Sequence, residues 1–151
     1  MMYPDVDDLL ASVIDTFERY IAPHVDDEYA ASLSLTVIEL LRSVRVRVAL
    51  EGEALADDNA ELADLLADLR PLVPPHVVAL VDDALASPVD GYPSVARLHR
   101  KAEGLRGALV AAIESLPDPD HPGRVAARAY LTNHLRRQEP WLVQAFVGPR
   151  R

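Results

Sequence analysis

Five residues of one helix-forming segment carry the side chains best suited to holding a ligand: Ser32, Thr36, Glu39, Arg42 and Ser43. Spacings of three and four place Ser32, Thr36, Glu39 and Ser43 along one line of a helix, with Arg47 near its end. If that line faces an internal cavity, Glu39 with Arg42 or Ser43 would orient a small polar or amphipathic molecule. If it faces water, it is a solvated face; if it is buried and satisfied, it is a structural network. Arg42 and Arg45 form an i, i+3 pair that would clamp an anion or meet the acidic segment that follows.

A second constellation, Asp118, Asp120 and His121, lies in the loop PDPDHPG. Three oxygen or nitrogen donors within four residues could hold a metal. The simpler expectation is that Asp120 caps the next helix, Pro122 enters its first turn, and His121 is solvated. The remaining histidines, His24, His76, His99 and His134, form no HExxH motif and no i, i+4 pair. The carboxylate pairs Asp57–Asp58 and Asp82–Asp83 fall at expected helix termini, where capping accounts for them. No glutamate is followed three residues later by histidine, which a di-iron carboxylate bundle would need. The six glycines are too scattered for a phosphate loop, and there is no G-x-S-x-G elbow. Cysteine is absent, which removes thiol nucleophiles, Cys-ligated zinc and disulfides. No catalytic residue, metal or cofactor is therefore assigned, and a non-enzymatic role is expected.

These residues must be positioned by helices. Ala and Leu are abundant, half of the 151 residues are hydrophobic, and the apolar positions recur at three and four. The first helix is expected over 6–22, with Asp5 as N-cap and Pro23 as its end. The second, over 26–50, carries one apolar line from Tyr29 to Val48 and another through Leu35, Ile38 and Val46. A helix apolar on more than one face is surrounded by others, which makes it the axis of a bundle. Gly52 signals its end. A third helix follows over 58–69, capped by Asp57 or Asp58 and closed by Pro71. A fourth is expected over 75–86, a fifth over 94–116 and a sixth over 124–138, the last with Val125, Ala129, Leu131 and Leu135 inward.

In the fifth, apolar residues from Val95 to Leu116 alternate by three and four for three heptads, a coiled-coil-like seam. Its members Leu98, Leu105 and Leu109 are candidate interface residues, and Gly104 and Gly107 would let another helix approach closely. The apolar C-terminal tail, with Trp141 and Phe146, must also dock on its own chain or a neighbour. The fold expected is all-α, a single-domain bundle of about six helices spanning residues 1–151 around a long central helix.

Net charge is −9 and unevenly spread. Residues 1–90 hold 19 acidic and 5 basic residues; residues 91–151 hold 5 acidic and 10 basic. The halves should attract, within one chain or between two. An acidic chain is a poor nucleic-acid binder. No stretch is apolar enough to span a membrane and no secretory signal is visible, so a soluble cytoplasmic protein is expected. Lys101 is the single lysine and the other basic residues are arginine, as in proteins of GC-rich genomes.

The segments PDVDDLLASVIDTFERYIAPHVDDEYAASLSLTVIELLRSVRVRVALEGEAL (4–55) and AYLTNHLRRQEPWLVQAFVG (129–148) resemble small uncharacterised bacterial helical domains associated with aminoglycoside-phosphotransferase-like kinases and acyl-CoA dehydrogenases. The resemblance lies in pattern: an amphipathic helix, a proline-containing break, then a long helix entering a Leu-rich one. It implies an accessory role beside such enzymes and carries no site residue. The expected function is thus a non-catalytic accessory or interaction domain, as a homo-oligomer or with a protein partner. The alternative is a bundle that binds an acyl or amphipathic ligand.

Overall fold

The computed structural model describes residues 4–87 and 94–141. They are all-α, with no strand among them. They contain five α-helices: α1 (Val6–Thr16), α2 (Glu28–Leu69), α3 (Pro75–Ala86), α4 (Val95–Ser115) and α5 (Pro122–Gln138). The Asp5 carboxylate caps α1 by accepting from Asp8 N–H at 2.8 Å, and Asp27 caps α2 through Ala30 N–H at 2.8 Å. Each satisfies an amide that the first helical turn leaves open.

The chain groups into two compact units: Met1–Leu50 with Gln138–Arg151, and Glu51–Arg137. The helix α2, 42 residues long, contributes to both. The second and third helices expected from sequence are therefore one. Gly52 does not end the helix: it costs only about 1 kcal/mol relative to alanine. Nor does Asp58 cap a new one, because its carboxylate is engaged by other helices instead.

The second unit has a dry core. Leu62, Leu66 and Leu69 of α2 pack with Val77 and Val81 of α3 and with Leu105, Leu109 and Ala112 of α4. The heptad seam of α4 is thus spent inside this unit. Leu98, Leu105 and Leu109, expected as interface candidates, are buried at 5%, 0% and 3% exposure and are not available to a partner. Phe146 lies outside the described residues, as does the side chain of Trp141. Lys101 donates to the carbonyls of Ala84, Leu85 and Ser87 at 2.6, 3.1 and 2.9 Å. The chain's single lysine therefore closes the C-terminal end of α3.

Glycines behave differently from the sequence expectation. Gly104 and Gly107 face open space, with nothing within 4 Å of where a Cβ would stand. Gly123, in the first turn of α5, is the close approach: a Cβ there would lie 2.7 Å from Leu69 Cδ2 and 2.9 Å from Leu116 Cδ1. Both leucines are buried and cannot swing away freely. Gly123→Ala is expected to cost about 1–2 kcal/mol through overpacking, whereas Gly104→Ala should gain about 0.5–1 kcal/mol from helix propensity. Urea unfolding of both variants checks the opposite signs, and equal shifts would disprove the packing account.

Candidate functional site

Among the described residues, two places concentrate chemistry, one in each unit. In the second unit, Asp58 is buried at 2% exposure and receives four donors. Its Oδ1 faces His134 Nδ1 at 2.8 Å and Arg137 Nη1 at 2.9 Å. Its Oδ2 accepts from Tyr130 Oη at 3.1 Å and Arg106 Nη2 at 3.2 Å. Arg137 also pairs with Glu61, which accepts from Asn133 Nδ2 at 2.9 Å. Beside it, Asn59 donates to the Leu98 carbonyl at 3.0 Å. The rings of Tyr130 and His134 stack with centroids 6.0 Å apart.

The helices explain this convergence. Tyr130, Asn133, His134 and Arg137 follow i, i+3, i+4, i+7 spacing and so share one face of α5. Asp58 and Glu61 make the matching i, i+3 pair on α2, and α4 supplies Arg106. The inward face of α5 is thus Gly123, Ala127 and Tyr130 continued by polar side chains. The apolar set expected inward is outward: Val125, Leu131 and Leu135 are exposed, and so is Ala129. Hydrophobicity alone chose the wrong side, because the buried face of α5 is largely polar and satisfied. The polar i, i+3, i+4, i+7 line was the signal that could have found it.

Burial alone would raise the Asp58 carboxyl, but hydrogen bonds from His134, Arg106 and Tyr130, with the charge of His134, outweigh it and hold Asp58 below the usual carboxylate range. Burial, and then the negative charge of Asp58, push the Tyr130 hydroxyl up to about 12. Both groups move away from neutrality, opposite to what proton transfer near pH 7 asks of them. What this arrangement does chemically is clamp α2, α4 and α5 through one carboxylate.

The second place is an open trough of about 500 Å³ in the first unit, lined by Asp7, Arg42, Arg45, Val46, Ala49 and Leu50. Its rim charges are matched. Arg45 Nη2 donates to Asp7 Oδ2 at 2.7 Å, and Arg42 pairs with both Glu18 and Glu39. Arg45 lowers the Asp7 carboxyl, and Asp7 in turn raises Arg45. Of the five residues expected to bind a ligand, Arg42 alone lines this trough. Ser32 and Glu39 are exposed, and Ser43 is half-buried. The Thr36 hydroxyl donates back to the Ser32 carbonyl at 3.1 Å. The trough's floor is instead apolar, which a polar-residue search passes over.

The loop at 117–123 is a helix entrance. Asp120 N–H donates to Asp118 Oδ1 at 2.9 Å. His121, half-buried, takes the capping position expected of Asp120: its Nδ1 accepts from Gly123 N–H at 3.1 Å. No cluster of three or more possible metal ligands occurs among the described residues. No helix among them is long and apolar enough to cross a membrane.

The first unit also carries an unusual surface. Among its described residues, only Ile14 and Ile38 are buried apolar side chains. Exposed apolar stripes run along both helices: Val6, Leu9 and Val13 on α1, and Tyr29, Leu33, Val37, Leu40, Val44 and Val48 on α2. Leu33, Leu40 and Val48 are 47%, 49% and 53% exposed, levels usual for polar surface residues. The chain matches no family model, no curated protein and no solved structure.

Proposed function

We propose that this protein is a non-catalytic interaction domain. Its binding surface is the apolar face of α1 and the N-terminal half of α2. The observation that carries this reading is the pair of exposed stripes over a unit whose described part buries only two apolar side chains. Contiguous apolar surface of this extent on a water-soluble helix marks a place where other protein packs. The resemblance of segments 4–55 and 129–148 supports an accessory context beside acyl-CoA-metabolising or phosphotransferase-like enzymes.

Hydrogen exchange tests it. The chain mixed with such an enzyme, or concentrated alone, should slow amide exchange over residues 6–21 and 28–50 relative to a dilute sample. Exchange unchanged in that region under both conditions would remove the reading.

A second reading is supported by the trough. An acyl chain would lie on Val46, Ala49 and Leu50, with its anionic head at Arg42 and Arg45. It ranks second because both guanidiniums already pair with carboxylates, which a head group would have to displace. A small mass retained by the native protein in mass spectrometry would move it ahead.

A further inference from the structure

The kind of partner can be read from the geometry of the first unit. Its two helices run antiparallel. Asp7, at the start of α1, meets Arg45, whereas Glu18, beyond its end, meets the earlier Arg42. The buried Ile14 shares a helical face with Asp7 and Glu18, and the buried Ile38 shares one with Arg42 and Arg45, so these ion pairs mark the faces that the helices turn toward each other. With a residue every ~100° around a helix, Val6, Leu9 and Val13 are rotated from Ile14 in the same sense as Leu33, Leu40 and Val44 from Ile38. Because the helices are antiparallel, equal rotation brings both stripes out on the same side of the hairpin. The result is one apolar face rather than two.

The stripe on α2 has a second property. Tyr29, Leu33, Val37, Leu40, Val44 and Val48 are separated by 4, 4, 3, 4 and 4 residues, a spacing that reads the same in both directions. Laid antiparallel against itself, it sets Tyr29 opposite Val48, Leu33 opposite Val44 and Val37 opposite Leu40.

Area agrees too. The stripe residues, about half in water, present on the order of 500 Å² of apolar surface per copy. Homodimer interfaces are about 65% apolar, so this corresponds to roughly 800 Å² per partner, the size of a stable interface.

From this we infer that the partner is a second copy of the chain, docked about a two-fold axis between Val37 and Leu40, so that two hairpins complete an antiparallel four-helix bundle. This rests on the interaction reading above and names its partner. A self-complementary patch of this kind closes a dimer and leaves no surface for further growth.

The 151-residue chain at micromolar concentration should sediment as a dimer. Leu40→Glu places two carboxylates beside the axis and should raise the dissociation constant by about a hundredfold or more. Leu35→Glu, on a different face of α2 and equally a leucine exposed to water, should leave the dimer unchanged.

Because the chain has no cysteine, the register can be tested without background. Copies carrying Leu33→Cys mixed with copies carrying Val44→Cys should form a disulfide. Neither variant alone should do so, since its two thiols would lie ~16 Å apart along the bundle. A monomer, a dimer indifferent to Leu40→Glu, or cross-linking within the single-variant samples would each overturn the proposal. If the chain is monomeric yet α1 and α2 gain protection with a different protein, the second copy is excluded and the interaction reading stands. If neither occurs, both fall.

Discussion

Asp58→Ala is expected to destabilise the second unit by about 3 kcal/mol, the cost of removing one partner from a buried charge cluster. The substitution leaves Arg106, Arg137 and His134 facing a carboxylate that is no longer there. It also strips the buried Tyr130 hydroxyl of its acceptor. The value sits at the low end of the range for such clusters because the Arg106 and Arg137 side chains keep 40% and 24% exposure and can turn toward water.

The pH dependence follows from the direction of the shift. The Asp58 carboxyl is held lower in the folded chain than in the unfolded one. Its contribution is therefore fully present above the ordinary carboxylate pKa of about 4 and is lost as pH falls through the depressed value. Urea unfolding between neutral pH and pH 3 should show the gap between parent and Asp58→Asn narrowing on acidification. A gap independent of pH would mean that the carboxylate's charge does not hold the helices together.

Leu66→Ala should cost about 3–5 kcal/mol, as deletion of a large buried side chain does when the cavity cannot collapse. Leu66 has 0% exposure and sits in a cluster of leucines and valines from α2, α3 and α4. Three helices already in contact leave little room for relaxation. On the same helix, Leu35 is 62% exposed, and Leu35→Ala should change stability by no more than about 0.5 kcal/mol. Chemical unfolding followed by circular dichroism separates the two. Similar costs at the two sites would show that Leu35 is buried in solution, and would redraw the apolar face of the first unit.

Much of the helical framework was legible in the chain. Asp5 caps α1 as expected, because a short polar side chain before an apolar run accepts from the next turn; Ser94, expected as the first residue of its helix, instead caps α4. The bounds of α3 follow from Pro75 and from the apolar line Val77, Val81 and Ala84. Gly52 and Asp57–Asp58 misled for a local reason. Each is a good terminus taken alone, but the same residues are tolerated mid-helix when packing on both sides favours continuation. The α4 seam was legible as apolar, yet period alone does not say whether it meets its own chain or a second one.

The sites were less legible. The donors to Asp58 lie 48, 72, 76 and 79 residues away along the chain. The pairing of the acidic first half with the basic second half is realised in part there, within one chain, as Asp58 and Glu61 meet Arg106 and Arg137. Ser32, Thr36, Glu39 and Ser43 drew notice because polar lines on apolar helices attract ligands or networks. In the fold they remain on the helix surface or only half-buried.

By itself the sequence determined the all-α class, most of the helix positions and the absence of thiol chemistry, because helix periodicity, caps and composition act over a few residues. Which apolar stripes are consumed and which are left over was decided only by the tertiary structure. Burial is a property of neighbours, and the neighbours of Leu105 and of Leu40 are set by how the chain returns on itself. The seam on α4 that looked made for a partner is the core of the second unit, and the helix that looked like a buried axis presents its N-terminal stripe to water.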